Sequence, residues 1–413
     1  MKKLLIIGQV WPEPTSSAAG IRMIQLIDCF TINNYKIYFA SAASKSDFSF
    51  DLKSKNIDEI SIRLNDESFD ILIKELNPST VIFDRFMTEE QYSWRVTENC
   101  PNALKILDTE DLHFLRNARQ NASKKNIKFT DELLYSDLAK REISAILRCD
   151  LSLIISKKEM EILISKFNIS ENILHYLPFL EKEIKEKDIS NWKKFNNRKN
   201  LIFIGNFIHE PNYNCVLYLK TKIWPKLRKK LPYVEMHIYG AYATQKVLQL
   251  NNPKENFYIK ERALDAKETM SNYKILLAPI QFGAGLKGKF IDAMLSGTPS
   301  VTTSLGSESM TENGEWNGFI ADDDSTFIEK VILLYENEEI WQSSQKTGVD
   351  ILNKNYNKEL FESNFLAKVD SIKENLVEHR NSNFIGQILQ YNTNQSTKYM
   401  SLWIEEKNKT SFN

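Results

Sequence analysis

Short runs of apolar, often β-branched residues alternate along the chain with longer segments whose apolar positions recur every three or four residues. Short apolar runs are typical of buried parallel strands, and the longer periodic segments are typical of helices that cover a sheet. In the first half, the helical segments include GIRMIQLIDCF and FTDELLYSDLAKREISAILRCD, and the predicted strands are KLLIIG, KIYFAS, TVIFD, ALKILD and LSLIIS. The alternation predicts βα units around a parallel sheet.

A second series of strands follows a charged, weakly periodic stretch, and comprises LIFIGNF, VEMHIYG, NFYIK, YKILLAPI, PSVTT and GFIADD. The pattern predicts an α/β protein with two Rossmann-like, doubly wound domains. We place the first domain at 1–181, a linker at 182–199 and the second domain at 200–355. Residues 356–413 are predicted to form C-terminal helices and a tail that packs back on the first domain. A lid or partner-binding helix around Trp403 is the open alternative.

Length and charge narrow the class of protein. The 413 residues suit two domains, and the hydrophobic content of 42% is that of a globular protein. Lysine plus arginine and aspartate plus glutamate both number 54, so net charge gives no argument for a nucleic-acid partner. Four scattered cysteines without a CxxC pair suit reduced thiols and argue against a zinc site. No apolar run reaches the ~18 residues of a membrane span, so we expect a cytoplasmic protein; attachment to the inner membrane face stays open.

One glycine-rich stretch, FGAGLKGKFIDAMLSG, carries most of the candidate chemistry. It follows the predicted strand YKILLAPI and leads into a helix predicted to begin near Leu286. Gly283 and Gly285 permit close approach of the backbone to a ligand, and free amides at a helix start form an anion site. Lys287 and Lys289 add positive charge. The loop is therefore a candidate phosphate site, although a plain turn with a surface ion pair explains each residue singly.

Known phosphate-loop patterns do not account for this stretch. The GxxxxGK[ST] pattern does not occur, and the loop after the first strand lacks GxGxxG. That first loop reads GQVWPEPTSSAAGIRM, where Ser17, Gly20 and Arg22 lead into a helix. It either contacts a second substrate or only caps the helix. The acidic run ADDDST has the letters of an Asp-x-Asp metal motif, but it follows the last strand and predicts a solvated turn with a helix N-cap.

The stretch APIQFGAGLKGKFIDAMLSGTPSVTT resembles the donor-binding region of family-4 glycosyltransferases. VWPEPTSSAAGIRM, RCDLSLIISKKEMEIL and LIFIGNFIHEPNYNCVLYLKTKIWPKL are similar to other parts of that family in the same order, and FDRFMTEEQYSWRV and ILDTEDLHFLRNAR resemble an uncharacterised bacterial subgroup. The resemblance implies the GT-B fold, in which two Rossmann-like domains face a cleft. It also implies retaining transfer of a sugar from a nucleoside diphosphate to an acceptor hydroxyl.

The resemblance also implies donor contacts in the second domain. Asp292 stands where the family has the second glutamate of its Glu-x7-Glu motif, which binds the ribose, and the first glutamate falls on Ala284. Amides of Leu286 and Lys287 match those that hold the distal phosphate. Donor-binding candidates are Asn206, His209, Arg262, Gly283, Ala284, Gly285, Leu286, Lys287, Lys289 and Asp292; replacements for the missing glutamate are Asp108, Glu110 and Asp111.

In the first domain, family members often direct a histidine at the donor sugar. The catalytic candidates are therefore Asp111 and His113, near a predicted helix start at Asp111, together with Lys287. The acceptor-binding candidates are Ser17, Gly20, Arg22, Arg85 and Arg116.

The expected activity is metal-independent and needs no cofactor besides the donor. Expected acceptors are a bacterial surface glycan, glycolipid or glycoprotein, with association with a membrane surface left open and no nucleic-acid partner. A nucleotide-sugar epimerase of the same fold and a non-catalytic nucleotide-sugar-binding subunit are the alternatives. The epimerase would need acid and base groups in the cleft, and the non-catalytic subunit is suggested by the missing first glutamate.

Overall fold

The computed structural model describes residues 2–312 and 314–410. Met1, Asn313 and residues 411–413, which belong to the predicted domains and tail, lie outside the described residues. The backbone forms two parallel β-sheets flanked by helices, which confirms the predicted α/β fold class.

The first sheet has seven strands in the order β3-β2-β1-β4-β5-β6-β7, and every pairing is parallel. The strands are β1 (Lys2–Gly8), β2 (Tyr35–Ser41), β3 (Asp58–Ser61), β4 (Thr80–Asp84), β5 (Leu104–Asp108), β6 (Leu151–Ile154) and β7 (Leu174–Tyr176). The accompanying helices are α1 (Ala18–Ile32), α2 (Ser68–Leu76), α3 (Arg85–Asn99), α4 (His113–Lys124), α5 (Asp137–Arg148) and α6 (Lys157–Phe167).

The second sheet has six parallel strands in the order β10-β9-β8-β11-β12-β13. They are β8 (Lys199–Ile204), β9 (Met236–Tyr239), β10 (Phe257–Ile259), β11 (Tyr273–Ala278), β12 (Ser300–Thr302) and β13 (Gly318–Ile320). The helices are α7 (Glu186–Ser190), α8 (Glu210–Tyr218), α9 (Trp224–Lys230), α10 (Gln245–Leu248), α11 (Ala266–Met270), α12 (Gly288–Leu295), α13 (Ser304–Ser307), α14 (Asp324–Glu336) and α15 (Glu338–Asn355).

Central strands are buried on both faces, which explains why their sequences read as continuous apolar runs. Leu4, Leu5, Ile6 and Ile7 of β1 have no exposed surface. In each sheet the strand order reverses beside the first strand of the domain, between β1 and β4 and between β8 and β11. Ligands of doubly wound sheets bind at this reversal, beyond the carboxyl ends of the strands.

The last three helices, α16 (Lys358–Glu374), α17 (Leu376–Ser382) and α18 (Phe384–Thr410), return to the first sheet. Phe365 of α16 packs edge-on against Phe30 of α1, and Arg380 of α17 forms a 2.8 Å ion pair with Asp150. Helix α18 packs against α3 and α5. In the described ranges, no helix is long and apolar enough to cross a membrane.

Several element bounds differ from the predicted ones. Strands β3 and β7 were not predicted, because β3 is a short edge strand with partly polar sequence and β7 has three residues. The helix predicted from Leu286 begins at Gly288, and the one predicted near Asp111 begins at His113. The predicted linker contains α7, and β8 begins at Lys199. The domain boundaries themselves stay predictions.

Candidate active site

A cavity of about 800 Å³ lies between the two sheets, at the carboxyl ends of their strands. The loops after β1, β4 and β5 form one wall, and the loops after β8 and β11 form the other. Of the predicted site residues, the lining includes Ser17, Gly20, Arg85, Asp111, His113, Arg116, Asn206, His209, Arg262, Gly283, Ala284, Gly285, Leu286, Lys287, Lys289 and Asp292. The fold therefore brings all of the sequence candidates except Arg22 and Asp108 to one cavity.

The loop between β11 and α12 presents backbone amides to this cavity. Lys287 occupies the N-cap position of α12, so the amides of Leu286 and Lys287 precede the helix, at its positive end. Within residues 2–312 and 314–410, neither amide donates a hydrogen bond. Gly285 has φ +62°, and a Cβ there would lie 2.9 Å from Cβ of Asp111, so this glycine is required. At Gly283, no atom lies within 4 Å of the place that a Cβ would take, and φ is outside the left-handed region, so this position does not require glycine.

Two lysines, the buried Lys287 and the half-buried Lys289, stand beside these amides without a carboxylate partner among the described residues. Nζ of Lys287 donates to the carbonyl of Gly285 at 2.9 Å, and Nζ of Lys289 donates to Oδ1 of Asn212 at 2.6 Å. Burial lowers the pKa of each lysine to about 8. Across the described chain, neither lysine forms a salt bridge. A buried ammonium without a counter-ion is costly, so this wall is complementary to an anion.

Asp292 lies on α12, one turn beyond Lys289, and its carboxyl lines the same cavity. Burial raises the pKa of Asp292 to about 7. Lys289 turns toward Asn212 instead of Asp292, so the two residues do not form the surface ion pair that was the simpler interpretation of their spacing. The carboxyl remains available to hydroxyl groups of a ligand.

The opposite wall carries charged groups that pair with one another. Arg116 donates from Nε to Oδ2 of Asp111 at 2.8 Å, and Nε2 of His113 lies 3.5 Å from Oδ1 of the same carboxylate. Burial opposes ionisation of Asp111, but Arg116 and His113 hold its pKa at about 2. Burial lowers the pKa of His113 to about 4, so the imidazole is neutral at pH 7. This wall offers an ionised carboxylate and a neutral imidazole.

Two cavity residues of this wall have unusual backbone angles. Arg85 has φ +70° and Glu110 has φ +62°, a region that non-glycine residues rarely occupy. Nη1 of Arg85 donates to Oδ2 of Asp84 at 3.0 Å. Burial, together with Asp108 and Asp84, raises the pKa of Glu110 to about 8. Strain of this kind concentrates at functional sites.

Arg22 and Asp108 are the sequence candidates that the structure places outside the cavity lining. The side chain of Arg22 is buried, donates from Nε to Oδ1 of Asp108 at 2.9 Å and donates from Nη1 to the carbonyl of Leu177 at 2.7 Å. The prediction that Arg22 contacts an acceptor is wrong, because the guanidinium neutralises a buried carboxylate behind the cavity. Asp108 is thereby also occupied. Ser17 accepts from the amide of Gly20 at 3.0 Å, so the first loop does cap α1, at the margin of the cavity.

The remaining candidates of the second domain lie on two other loops. Oδ1 of Asn206 accepts from the amide of Ile208 at 2.9 Å, and His209 is the N-cap residue of α8. Burial lowers the pKa of His209 to about 4. Arg262 donates to Oγ1 of Thr15 at 3.0 Å and lies 4.1 Å above the ring of Phe48, so it bridges the two domains at the rim.

Glu159 was missed by the sequence analysis. One carboxylate oxygen accepts from the amides of Leu112 and Gly285, both at 2.9 Å, and so joins the two walls. Burial raises the pKa of Glu159 to about 8. The segment SKKE has the spacing of a helix capping box, and Ser156 does accept from the amide of Glu159 at 3.4 Å. The SKKE pattern therefore predicts only a local helix cap and does not indicate the contact that Glu159 makes with Gly285 across the cleft.

Further contacts hold the two walls together. Arg119 donates from Nη1 to the carbonyl of Gly283 at 2.9 Å. It also forms a bidentate ion pair with Glu308, in which Nη1 and Nη2 each lie 2.7 Å from a carboxylate oxygen. Ala284 packs against the apolar core of the first sheet. Ala284 also lines the cavity, so no carboxylate from this loop position reaches the ligand space at the place where the resemblance puts the first glutamate.

Comparisons with known proteins agree with this geometry. Residues 198–337 match the sequence profile of the family described as Glycosyl transferases group 1. A search of curated proteins found no match to the chain.

Solved structures share the architecture at low sequence identity. Sucrose-phosphate synthase from Thermosynechococcus elongatus has 11% identity and a TM-score of 0.66, with 90% of this chain and 99% of that chain covered. Anabaena Alr3699/HepE in complex with UDP has 10% identity and a TM-score of 0.64, over 90% and 100% of the two chains.

A third similar structure is larger. A mutant of S. aureus TarM in complex with Fondaparinux, alpha-GlcNAc-glycerol and UDP has 15% identity and a TM-score of 0.57, with 72% of this chain covered. The chain spans only 57% of that protein's length. Residues 198–337, in the second domain, thus match the glycosyl transferases group 1 family, and the shared two-domain architecture shows that the chain has the GT-B fold.

Proposed function

We propose that the protein transfers a sugar from a nucleoside diphosphate sugar to an acceptor hydroxyl, with retention of configuration and without a metal ion or a separate cofactor. The observation that carries the proposal is a pair of lysines beside free amides, the buried Lys287 and the half-buried Lys289, which have no ionic partner in the described part of the chain. Negative charge grows on the departing diphosphate in glycosyl transfer. Fixed dipoles and cations that already face it stabilise that charge without reorganisation.

In this proposal, the donor lies along the second domain. The amides of Leu286 and Lys287 and the two lysine ammonium groups hold the diphosphate, while Asp292 accepts hydrogen bonds from ribose hydroxyls. Asn206, His209 and Arg262 flank the nucleotide. UDP in complexes of similar structures favours uridine as the base.

The donor sugar then faces the first domain, near Asp111 and His113. Asp108 is bound to Arg22 and Asp111 to Arg116, so Glu110 is the candidate left to replace the family's first glutamate. Its raised pKa keeps the carboxyl protonated at pH 7, and a protonated carboxyl donates a hydrogen bond to a sugar hydroxyl.

The acceptor approaches from the first-domain side, past Ser17, Gly20, Arg85 and Arg116. The bond from the anomeric carbon to the diphosphate oxygen breaks, and the bond to the acceptor oxygen forms on the same face. The acceptor proton passes to an oxygen of the departing diphosphate. We propose a bacterial surface glycan, glycolipid or glycoprotein as the acceptor, and a cytoplasmic location, including the inner face of the membrane.

Thermal unfolding with UDP, GDP and ADP tests the donor site first. A nucleotide at ~100 times its dissociation constant should stabilise the protein by roughly 2.7 kcal/mol. Release of that nucleotide from its sugar conjugates, with a chelator present, then tests turnover, and NMR of the product anomer tests retention. If no diphosphate stabilises the protein, the proposed donor site is wrong. Binding without turnover would favour the non-catalytic alternative, and hydrogen exchange at C2 of the donor sugar would favour the epimerase.

A further inference from the structure

Helix α18 is amphipathic, and its polar side faces the protein. Gln390 donates to Oγ1 of Thr97 at 2.8 Å, and Ser401 donates to Oδ1 of Asn65 at 2.9 Å. Glu405 is buried and accepts from Nη2 of Arg95 at 3.1 Å. Polar contacts therefore fix the helix on the first domain.

The opposite side of α18 exposes large apolar residues to solvent. We call them the apolar stripe, which consists of Phe384, Ile388, Tyr391, Tyr399, Leu402 and Trp403. Most of their spacings are three, four or eight residues, which places them along one side of the helix. The four aromatic side chains are 60–71% exposed. An apolar stripe of this length on a soluble protein indicates an interaction surface.

The composition around the stripe favours a protein partner over an anionic lipid surface. Residues 384–397 contain no charged side chain. Further along, Lys398 pairs with Glu98, and Lys409 lies 3.5 Å from carboxylate oxygens of both Glu67 and Glu405. Helices that lie on anionic membranes carry unpaired lysines and arginines on their polar face. Protein interface cores, by contrast, are rich in aromatic residues and poor in charge.

The position of the stripe also argues against delivery of a membrane-anchored acceptor. Helix α3 begins at the cavity, directly after β4, and runs away from it to Asn99. Helix α18 contacts the last turns of α3, at Arg95 and Thr97, and the end of α5, where Gly386 lies against the carbonyl of Leu147. The first part of the stripe therefore lies toward the end of the first domain opposite the cavity, and Ser401 places its second part beside the loop that follows β3.

The spacing of the stripe residues along α18 indicates that a second copy of the same helix covers the stripe. If two copies of α18 run antiparallel, Phe384 lies opposite Trp403 of the other copy and Ile388 lies opposite Tyr399, because both pairs are centred on the same point of the helix. An interface of this kind is closed by a two-fold axis. The exposed parts of the four aromatic side chains, at about 150–250 Å² per side chain, offer roughly 500 Å², a large share of the ~800 Å² per partner in stable interfaces.

We propose that the apolar stripe binds the same stripe of a second copy of this chain and forms a two-fold symmetric dimer. Such a dimer covers no residue that lines the cavity, because the stripe and the cavity lining have no residue in common. The dimer does not depend on the proposed function.

Sedimentation of the full chain at micromolar concentration tests the proposal. We expect the wild type to have the mass of two chains and the Ile388→Glu, Tyr399→Glu double variant to have the mass of one. Tyr233→Glu with Leu264→Glu is the matched control, because those side chains are 96% and 79% exposed outside the stripe. Unchanged stabilisation by a bound nucleotide, or unchanged circular dichroism, shows that the double variant is folded.

Cross-linking tests the antiparallel arrangement. The Ile388→Cys, Tyr399→Cys double variant should form a disulfide-linked dimer on oxidation. Ile388→Cys alone should not, since the two copies of residue 388 would be ~16 Å apart along the helices. The four native cysteines are buried and free, which limits background cross-linking.

A monomeric wild type would overturn the proposal. If that monomer floats with phosphatidylcholine vesicles, the stripe belongs to a membrane. A double variant that remains dimeric would also overturn it, because the dimer would then form through another surface.

Discussion

The two walls of the cavity differ in whether their charged side chains have ionic partners. On the second-domain wall, Lys287, Lys289 and Asp292 have no ionic partner among the described residues, and burial moves each pKa toward neutrality. On the first-domain wall, Arg116 compensates Asp111 and Asp84 compensates Arg85. An uncompensated buried charge is tolerated where a ligand supplies the counter-charge. The comparison teaches that the lysine wall is complementary to an anion, whereas Asp111 and Arg85 of the other wall already have ionic partners; in the proposed function, that wall orients neutral sugars.

The largest expected effect comes from removing the lysine charges. Lys287→Ala with Lys289→Ala should lower kcat/KM by roughly 10²–10⁴-fold, because each lysine contributes about 1.5–3 kcal/mol to the departing diphosphate. Stabilisation by the diphosphate should be lost as well. Steady-state kinetics and thermal unfolding measure both effects. Lys229→Ala with Lys230→Ala, at the exposed end of α9, is the matched control and should change neither.

The next effect separates the two walls. Asp111→Ala should lower kcat by about 10²-fold while nucleotide stabilisation stays as in the wild type, because the carboxylate acts on the sugar and not on the diphosphate. Isothermal titration with the nucleotide, beside turnover rates, makes the distinction. Glu90→Ala removes a half-buried ionic partner of Arg141 outside the cavity and serves as the control. If Asp111→Ala weakens nucleotide binding as strongly as it lowers turnover, the two walls do not have separate roles.

Glu159 tests whether contact between the walls matters. Glu159→Ala leaves the amides of Leu112 and Gly285 without their acceptor, at roughly 1–3 kcal/mol for each buried group. We expect faster hydrogen exchange at residues 283–288 and a donor KM raised about tenfold as the loop detaches. Glu159→Gln is the control. The pKa of native Glu159 is about 8, so its carboxyl is mostly neutral at pH 7, and a neutral glutamine side chain should change hydrogen exchange and the donor KM only slightly. Equal effects of both variants would contradict this account.

The smallest effect is a pH dependence of nucleotide binding. Lys287 and Lys289 have pKa values lowered to about 8 by burial, and each is charged below that pH and neutral above it. A diphosphate prefers the charged form, so affinity is highest below pH 8 and falls as pH rises through 8. Between pH 7 and 9 we expect about a tenfold loss for each lysine that titrates. Titration calorimetry in a series of buffers measures it; a flat profile would show that the lysines do not contact the diphosphate.

Local sequence patterns were sufficient for most of the fold. The apolar runs predicted the central strands of both sheets, and the run ADDDST predicted the cap that Asp323 forms on α14. The glycine-rich stretch also predicted that Gly285 and the start of α12 line a cavity. These features depend on residues close together in the chain, so periodicity and turn chemistry reveal them.

Contacts between distant segments were decided only by the tertiary structure. Arg22 pairs with Asp108, and Glu159 reaches Gly285 across 126 residues. Side-chain type did not predict these partners, because a buried charge is placed by whichever opposite charge or backbone donor packs against it. The sequence alone therefore determined the central strands of the two sheets and the loop that faces the cavity, but not the short strands β3 and β7. Packing decided which charges are neutralised and which remain for a ligand.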